Sequence, residues 1–154
     1  MKLSDLLTPD QILVPFDAAD KWAAIAALPR ALVAAGRLDA SREEVAAEAL
    51  ATRERSMTTG MENGVAIPHA ALDDLPDVLC VLAIAHDGID FGTLDGTPGR
   101  ILAGLLIPRA EKLLHIRTLA GIAKSLSDPG VREALLASAD PAAAWRAIRA
   151  AEGL

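Results

Sequence analysis

Two apolar runs, Val78 to Ala85 and Ile101 to Ile107, limit the possible architectures more than any other part of the chain. Neither run alternates apolar with polar residues, as a strand with one face in water would. Each therefore reads as a strand covered on both faces. A sheet built on such strands has to be sandwiched, so the predicted class is α/β in the mixed α+β sense. The expected arrangement is a three-layer helix/sheet/helix sandwich around a mainly buried mixed sheet of about five strands.

The remaining elements follow from local signals. Ile12 to Phe16 reads as a first strand and about 17–35 as a helix stopped by Gly36, with Pro29 expected to kink or break it. Ser41 and Glu44 have capping-box spacing for a second helix, whose apolar positions Val45, Ala46, Ala49 and Leu50 carry it to about Arg53. Residues 54–64 then read as a polar loop. Turn signals at Asp87-Gly88, Asp95-Gly96 and Pro98-Gly99 leave room for a short edge strand near Ile89 to Leu94. A long helix is predicted from about Ala110 to Ser127, with Leu113, Ile116, Leu119, Ala120, Ala123 and Leu126 on one face. Asp128-Pro129 and Asp140-Pro141 each place a capping acid before a proline at the first helical position, so two more helices should follow.

Composition narrows the function classes. With 154 residues, 52 % of them hydrophobic, the chain has material for one hydrophobic core, and residues 1–154 are expected to form a single domain. Fifteen basic against 21 acidic residues give a net charge of -6, without a basic run, so nucleic acid is not an expected partner. An acidic surface fits a basic protein partner, and it is also ordinary for a soluble protein. No stretch reaches the roughly 18 apolar residues of a membrane span and the amino terminus lacks a signal-peptide pattern, so a cytoplasmic location without membrane insertion is expected. The single cysteine, Cys80, sits in an apolar run and reads as a buried, inert thiol.

The chemistry concentrates in 61–69. Asn63-Gly64 is a turn, Val65 to Ile67 a brief buried strand, and Pro68 stops the ladder and sets the backbone before His69. That imidazole is expected to be held at a rim, where it can act as nucleophile, base or ligand. His69, His86 and His115 lack metal-ligand spacing, no Gly-x-Ser-x-Gly elbow is present, and no phosphate-binding glycine motif occurs. No metal and no cofactor are expected. His86 reads as a strand-end histidine bonded to a turn and His115, taken alone, as a core-edge residue. Arg53 and Arg55, taken alone, are solvated cations suited to a helix end.

Arg53-Glu54, then Thr58-Thr59-Gly60, then Asn63 through His69, together closely resemble the signature of enzyme IIA domains of the sugar phosphotransferase system, in the class shared by fructose, mannitol and nitrogen-regulatory proteins. The resemblance continues through Phe91 to Pro108 and His115 to Leu126, and the chain length equals one such domain. It implies a phosphoryl carrier, most like the stand-alone nitrogen-regulatory form. His69 would be the acceptor, His115 the supporting histidine and Arg53 the active-site arginine. Thr58, Thr59, Gly60, Asn63 and Gly64 would form a loop supplying N–H groups and hydroxyls to the phosphoryl oxygens. The implied donor is a histidine-containing phosphocarrier protein, and the implied recipient is an enzyme IIB or a regulated target protein.

Several positions depart from the family pattern: Met57, Thr58, Glu62 and Ala70-Ala71. Glu62 would oppose a phosphoryl group by Coulomb repulsion if it faced the site, with Arg117 available to offset it. A second reading therefore stays open: a non-catalytic protein-binding module on the same fold, in which Glu62 partly mimics the charge of phosphate.

Overall fold

The computed structural model describes residues 2–154. Its elements are α1 (Leu3–Leu6), β1 (Ile12–Leu13), α2 (Lys21–Ala34), α3 (Glu43–Ser56), β2 (Val65–Ala66), β3 (His69–Leu72), β4 (Leu79–Ile89), β5 (Gly99–Pro108), α4 (Lys112–Ser127), α5 (Pro129–Leu136) and α6 (Pro141–Ala151), with 3-10 turns at Pro9–Gln11 and Ala40–Arg42. The five strands form one mixed sheet in the order β1-β4-β5-β2, and β3 also pairs with β5. Only the central pair β4 and β5 is antiparallel; β1, β2 and β3 run parallel to their neighbours.

The two apolar runs are the centre of this sheet, and their side chains divide between two cores. Cys80, Leu82, Ile84, Ile101, Ala103, Leu105 and Ile107 point into a layer closed by α4, α5 and α6. Val81, Ala83, Ala85, Leu102 and Leu106 point into a second layer with Ile25, Leu28 and Leu32 of α2 and Ala46 and Leu50 of α3. This is the expected helix/sheet/helix sandwich. Gly104 lets α2 settle on the sheet: a Cβ there would lie 2.7 Å from Leu28 Cδ1 and 3.1 Å from Val81 Cγ1. Burial holds Cys80 protonated, its thiol pushed up to about 12.

Three helices start on the acid that the sequence places before them. Asp20, Asp128 and Asp140 accept from backbone N–H groups in the first turns of α2, α5 and α6. Gly36, at φ 72°, ends α2 in the left-handed position. The expected capping box at Ser41 does not form. Asp39 accepts from both the amide and the hydroxyl of Ser41, capping a 3-10 turn that feeds α3.

Other sequence expectations are corrected by longer-range packing. Of the kink or break expected at Pro29, the break does not occur, since α2 continues past this buried residue. β1 is only two residues long, because Pro15 cannot donate to the ladder, although Phe16 N–H reaches Ile84 O at 3.0 Å. β4 absorbs Asp87-Gly88 as an irregularity in register with Gly88 at φ 80°, and the edge strand expected near Ile89 to Leu94 is instead a loop pinned by buried Phe91. α4 buries Thr118, Ile122 and Leu126, whereas Leu113 and Ile116 are 59 % and 66 % exposed. Its core stripe is thus rotated from the predicted face, since a buried threonine leaves no apolar signal. Among the described residues, no helix is long and apolar enough to cross a membrane.

Candidate functional site

The turn that aims His69 is built from two left-handed residues, Asn63 at φ 60° and Gly64 at φ 73°. β2 then pairs Val65 and Ala66 with Ile101 and Leu102. Pro68 interrupts the ladder without ending it: its carbonyl accepts from Leu105 N–H at 2.9 Å, and β3 resumes with His69 opposite Leu105. His69 therefore opens a strand instead of following the last one. Alternation buries Ala70 and Leu72 and leaves His69 half-buried.

One hydrogen bond sets the chemistry of this ring. His69 Nδ1 lies 2.8 Å from Ile67 O. A carbonyl only accepts, so Nδ1 carries the proton and Nε2 keeps the lone pair. No partner for Nε2 is found among the described residues. Burial, above all, lowers the ring's proton affinity below the ordinary histidine value, and the charges of Arg53 and His115 push the same way against the Ile67 carbonyl and Glu54. The ring is neutral at pH 7.

Two side chains from other elements converge on it. His115, on the first half of α4, meets the His69 ring edge-on, with centroids 5.6 Å apart and planes at 82°. Arg53 lies on the last turn of α3, which extends to Ser56, beyond its predicted end, and its Nη1 donates to Met57 O at 2.8 Å. Both Arg53 and His69 line two adjoining clefts. The larger, about 1030 Å³, runs from Ser41 in the 3-10 turn along α3 to Arg53 and is bounded by Ala71, Arg109 and His115. The smaller, about 230 Å³, is closed by Thr58 to Met61, Ile67 and Leu119. The structure thus brings His69, His115 and Arg53 together.

The loop is arranged differently from the expectation. Thr58 Oγ1 donates to Phe91 O and accepts from Gly60 N–H. Thr59 donates both its N–H, at 2.8 Å, and its hydroxyl to Glu54. Gly60 fits where a Cβ would stand 2.9 Å from Thr93 Cγ2 and 3.1 Å from Phe91 O. Met61 N–H bonds to Val65 O at 2.7 Å. Asn63 N–H reaches Asp95 Oδ2 and Gly64 N–H reaches Thr97 Oγ1, away from both clefts that hold His69. These N–H groups already have acceptors elsewhere in the protein, so Arg53 and His115 are the principal charged or ring donors beside His69.

Glu54 is the residue that sequence reasoning missed. The sequence shows it within the Arg53-Glu54 pair of the family signature, but in a stretch that reads as polar loop and without a role of its own. It is 3 % exposed and takes both Thr59 donors, with Lys21 Nζ 3.4 Å from Oε2. Glu62, by contrast, does not face the site. It is exposed and lines another cavity with Leu94, Leu126 and Arg132, and it lines neither of the clefts that hold His69. Arg117 is exposed and lines neither cleft. His86 lies inside β4, where its carbonyl accepts from Arg100 Nε at 3.0 Å.

Comparison with known proteins gives this geometry a family. The model for the phosphoenolpyruvate-dependent sugar phosphotransferase system, EIIA 2, matches residues 5–151. A nitrogen regulatory protein of Bradyrhizobium diazoefficiens is 32 % identical over 148 residues, 96 % of this chain and 95 % of that protein. The fructose-specific EIIA component of a phosphotransferase system in Haloferax volcanii is 37 % identical over 118 residues, 77 % of this chain and 75 % of that one. The crystal structure of nitrogen regulatory protein IIA-Ntr from Neisseria meningitidis shares the fold, with TM-score 0.83 at 21 % identity over 95 % of this chain and 98 % of that chain. Matched over nearly its whole length, the chain belongs to the EIIA 2 family of phosphoryl carriers of the phosphoenolpyruvate-dependent sugar phosphotransferase system.

Proposed function

We propose that residues 1–154 act as one phosphocarrier unit, which accepts a phosphoryl group on Nε2 of His69 from a histidine-containing phosphocarrier protein. The group then passes to an enzyme IIB or serves to control a target protein. Both onward routes have support in the relatives, one named as a fructose-specific component and one as a nitrogen regulatory protein.

The observation that carries this reading is the Ile67 carbonyl on Nδ1. It leaves Nε2 with a lone pair in a half-buried ring whose proton affinity is lowered, so the nucleophile needs no general base. Phosphoryl transfer passes through a loose transition state with charge on the equatorial oxygens. The donor's N–P bond breaks as the Nε2–P bond forms, and the electron pair of the broken bond returns to the donor ring. Arg53 supplies a guanidinium to the equatorial oxygens and His115 a ring N–H. Positive charge that develops on the His69 ring strengthens its bond to Ile67 O, which becomes charge-assisted.

Exposed Leu113 and Ile116 flank His115 in sequence, and exposed Met57 follows the Arg53 helix. Apolar side chains around a charged centre suit a protein partner, and a net charge of -6 suits a basic one. The test is to incubate the chain with a phosphoenolpyruvate relay and map acid-labile phosphate. Label on His69 is expected, with none in His69→Ala. Undiminished labelling of that variant, or label on His86, overturns the assignment.

A further inference from the structure

The contacts of Glu54 form a continuous path to the reacting atoms. Glu54 accepts from Thr59 N–H and from its hydroxyl. The carbonyl of Thr59 accepts from Ile67 N–H at 3.1 Å. The carbonyl of Ile67 accepts from His69 Nδ1 at 2.8 Å. One residue earlier on the same helix, Arg53 donates to Met57 O, two residues from Thr59. Glu54 thus anchors a single loop that contacts the imidazole at one end and the guanidinium at the other.

We propose that Glu54 is the positioning residue for phosphoryl transfer: by clamping Thr59 it holds the Ile67 carbonyl that selects the His69 tautomer and the Met57 carbonyl that steadies Arg53. This rests on the phosphocarrier reading of His69. The residue type is specific to the task. Thr59 presents two donors side by side, and only a carboxylate offers two acceptor oxygens to them while also facing a cation, here Lys21 Nζ at 3.4 Å. Burial gives the clamp its stiffness, because neither Thr59 donor can turn to water if it is released. The logic is that of an outer residue that orients a reacting histidine through its second nitrogen. Glu54 touches neither His69 nor a bound phosphoryl group, so it is not a catalytic residue.

Glu54→Gln is the informative change. The amide keeps one acceptor oxygen and replaces the other with an NH₂, which cannot accept from Thr59 and points a donor at Lys21. Long-range ¹H–¹⁵N spectra of the full, ¹⁵N-labelled chain read the His69 tautomer directly, without any phosphate. The wild-type protein should show the Nδ1–H form alone and Glu54→Gln a mixture of both tautomers. At saturating donor protein, kcat for phosphoryl acceptance should fall roughly 10- to 100-fold with KM unchanged, as expected for misplaced reacting groups. Thr59→Val, which removes one donor and keeps the amide bond, should shift the same two readouts by less, and it serves if Glu54→Gln does not fold. A wild-type tautomer in both variants overturns the proposal, as does a loss of kcat without a tautomer change. Failure of the wild-type chain to take phosphate would sink the phosphocarrier reading instead, and the spectra would still decide whether Glu54 sets the ring.

Discussion

Glu54 and Asp95 tie down loops on either side of the Asn63-Gly64 turn in the same way, each accepting from the amide and the hydroxyl of one threonine. Glu54 holds Thr59. Asp95 holds Thr97 and also takes Asn63 N–H at 3.0 Å. Thr59 uses both oxygens of Glu54 and Thr97 only Oδ1 of Asp95, and Glu54 is buried whereas Asp95 is open to water. In water a released N–H or hydroxyl finds another acceptor at little cost, whereas a buried donor left unpaired costs about 1–3 kcal/mol. The same motif is therefore a rigid clamp beside His69 and a light tether on the far loop. Precision is concentrated where the phosphoryl group would be handled.

The largest expected effects lie on the Glu54 side. His115→Ala removes a donor that faces His69 and should slow phosphoryl acceptance roughly 10²- to 10³-fold, read from single-turnover labelling. An unchanged rate would return His115 to a packing role and leave the near loop with no special claim on the chemistry. Glu54→Ala should lower unfolding free energy by about 3 kcal/mol in urea titrations, since it leaves two donors and a partly buried lysine unpaired. Asp95→Ala should move the urea midpoint far less. Equal losses from the two alanine variants would break the contrast between clamp and tether.

This contrast shows which parts of the molecule can be read from sequence. The three layers were legible because Val78 to Ala85 and Ile101 to Ile107 carry their environment in their own composition. His69 was legible because Asn63, Gly64 and Pro68 are local conformational signals. The stripe of α4 was not, because its centre is Thr118, a polar residue buried completely. β3 was hidden for a related reason: pairing of His69 to Leu72 with β5 is a contact between distant segments, and Pro68 looked like a stop. In the sequence Glu54 belongs to the family signature without a role of its own, and Glu62 stands out only as a departure from that signature. Only the fold shows that α3 carries the first inward beneath Thr59 and that the Asn63-Gly64 turn carries the second outward toward Arg132.

A smaller effect separates the two sides by pH. His69 titrates below the ordinary histidine value, chiefly because of burial. Between its folded value and about 6.5 the unfolded chain binds more protons. Its contribution to stability is therefore complete above about 6.5 and is lost as pH falls to the folded value. The acceptance rate should therefore fall to half its plateau at a pH below about 6.5. A rate that halves near pH 6.5 would mean that the ring is solvated like a free histidine, and the near side would lose the burial that distinguishes it.

The smallest effect belongs to Asp95, and it tests the tether directly. The Thr97 hydroxyl first, then the amides of Asn63 and Thr97, hold its carboxyl down to about 2 from 3.8. An acid with a depressed value contributes stability that is present above the unfolded value and disappears as pH falls through the folded one. The Tm difference between wild-type and Asp95→Asn should therefore be small and constant above about pH 5 and vanish toward pH 2. Phosphoryl acceptance and the His69 tautomer should be the same in both proteins, because no bond of Asp95 reaches Ile67 or Arg53. A slower Asp95→Asn with a mixed tautomer would show that the Asn63-Gly64 turn transmits order to His69. The site would then be held from both ends of the 57–64 segment, not from Glu54 alone.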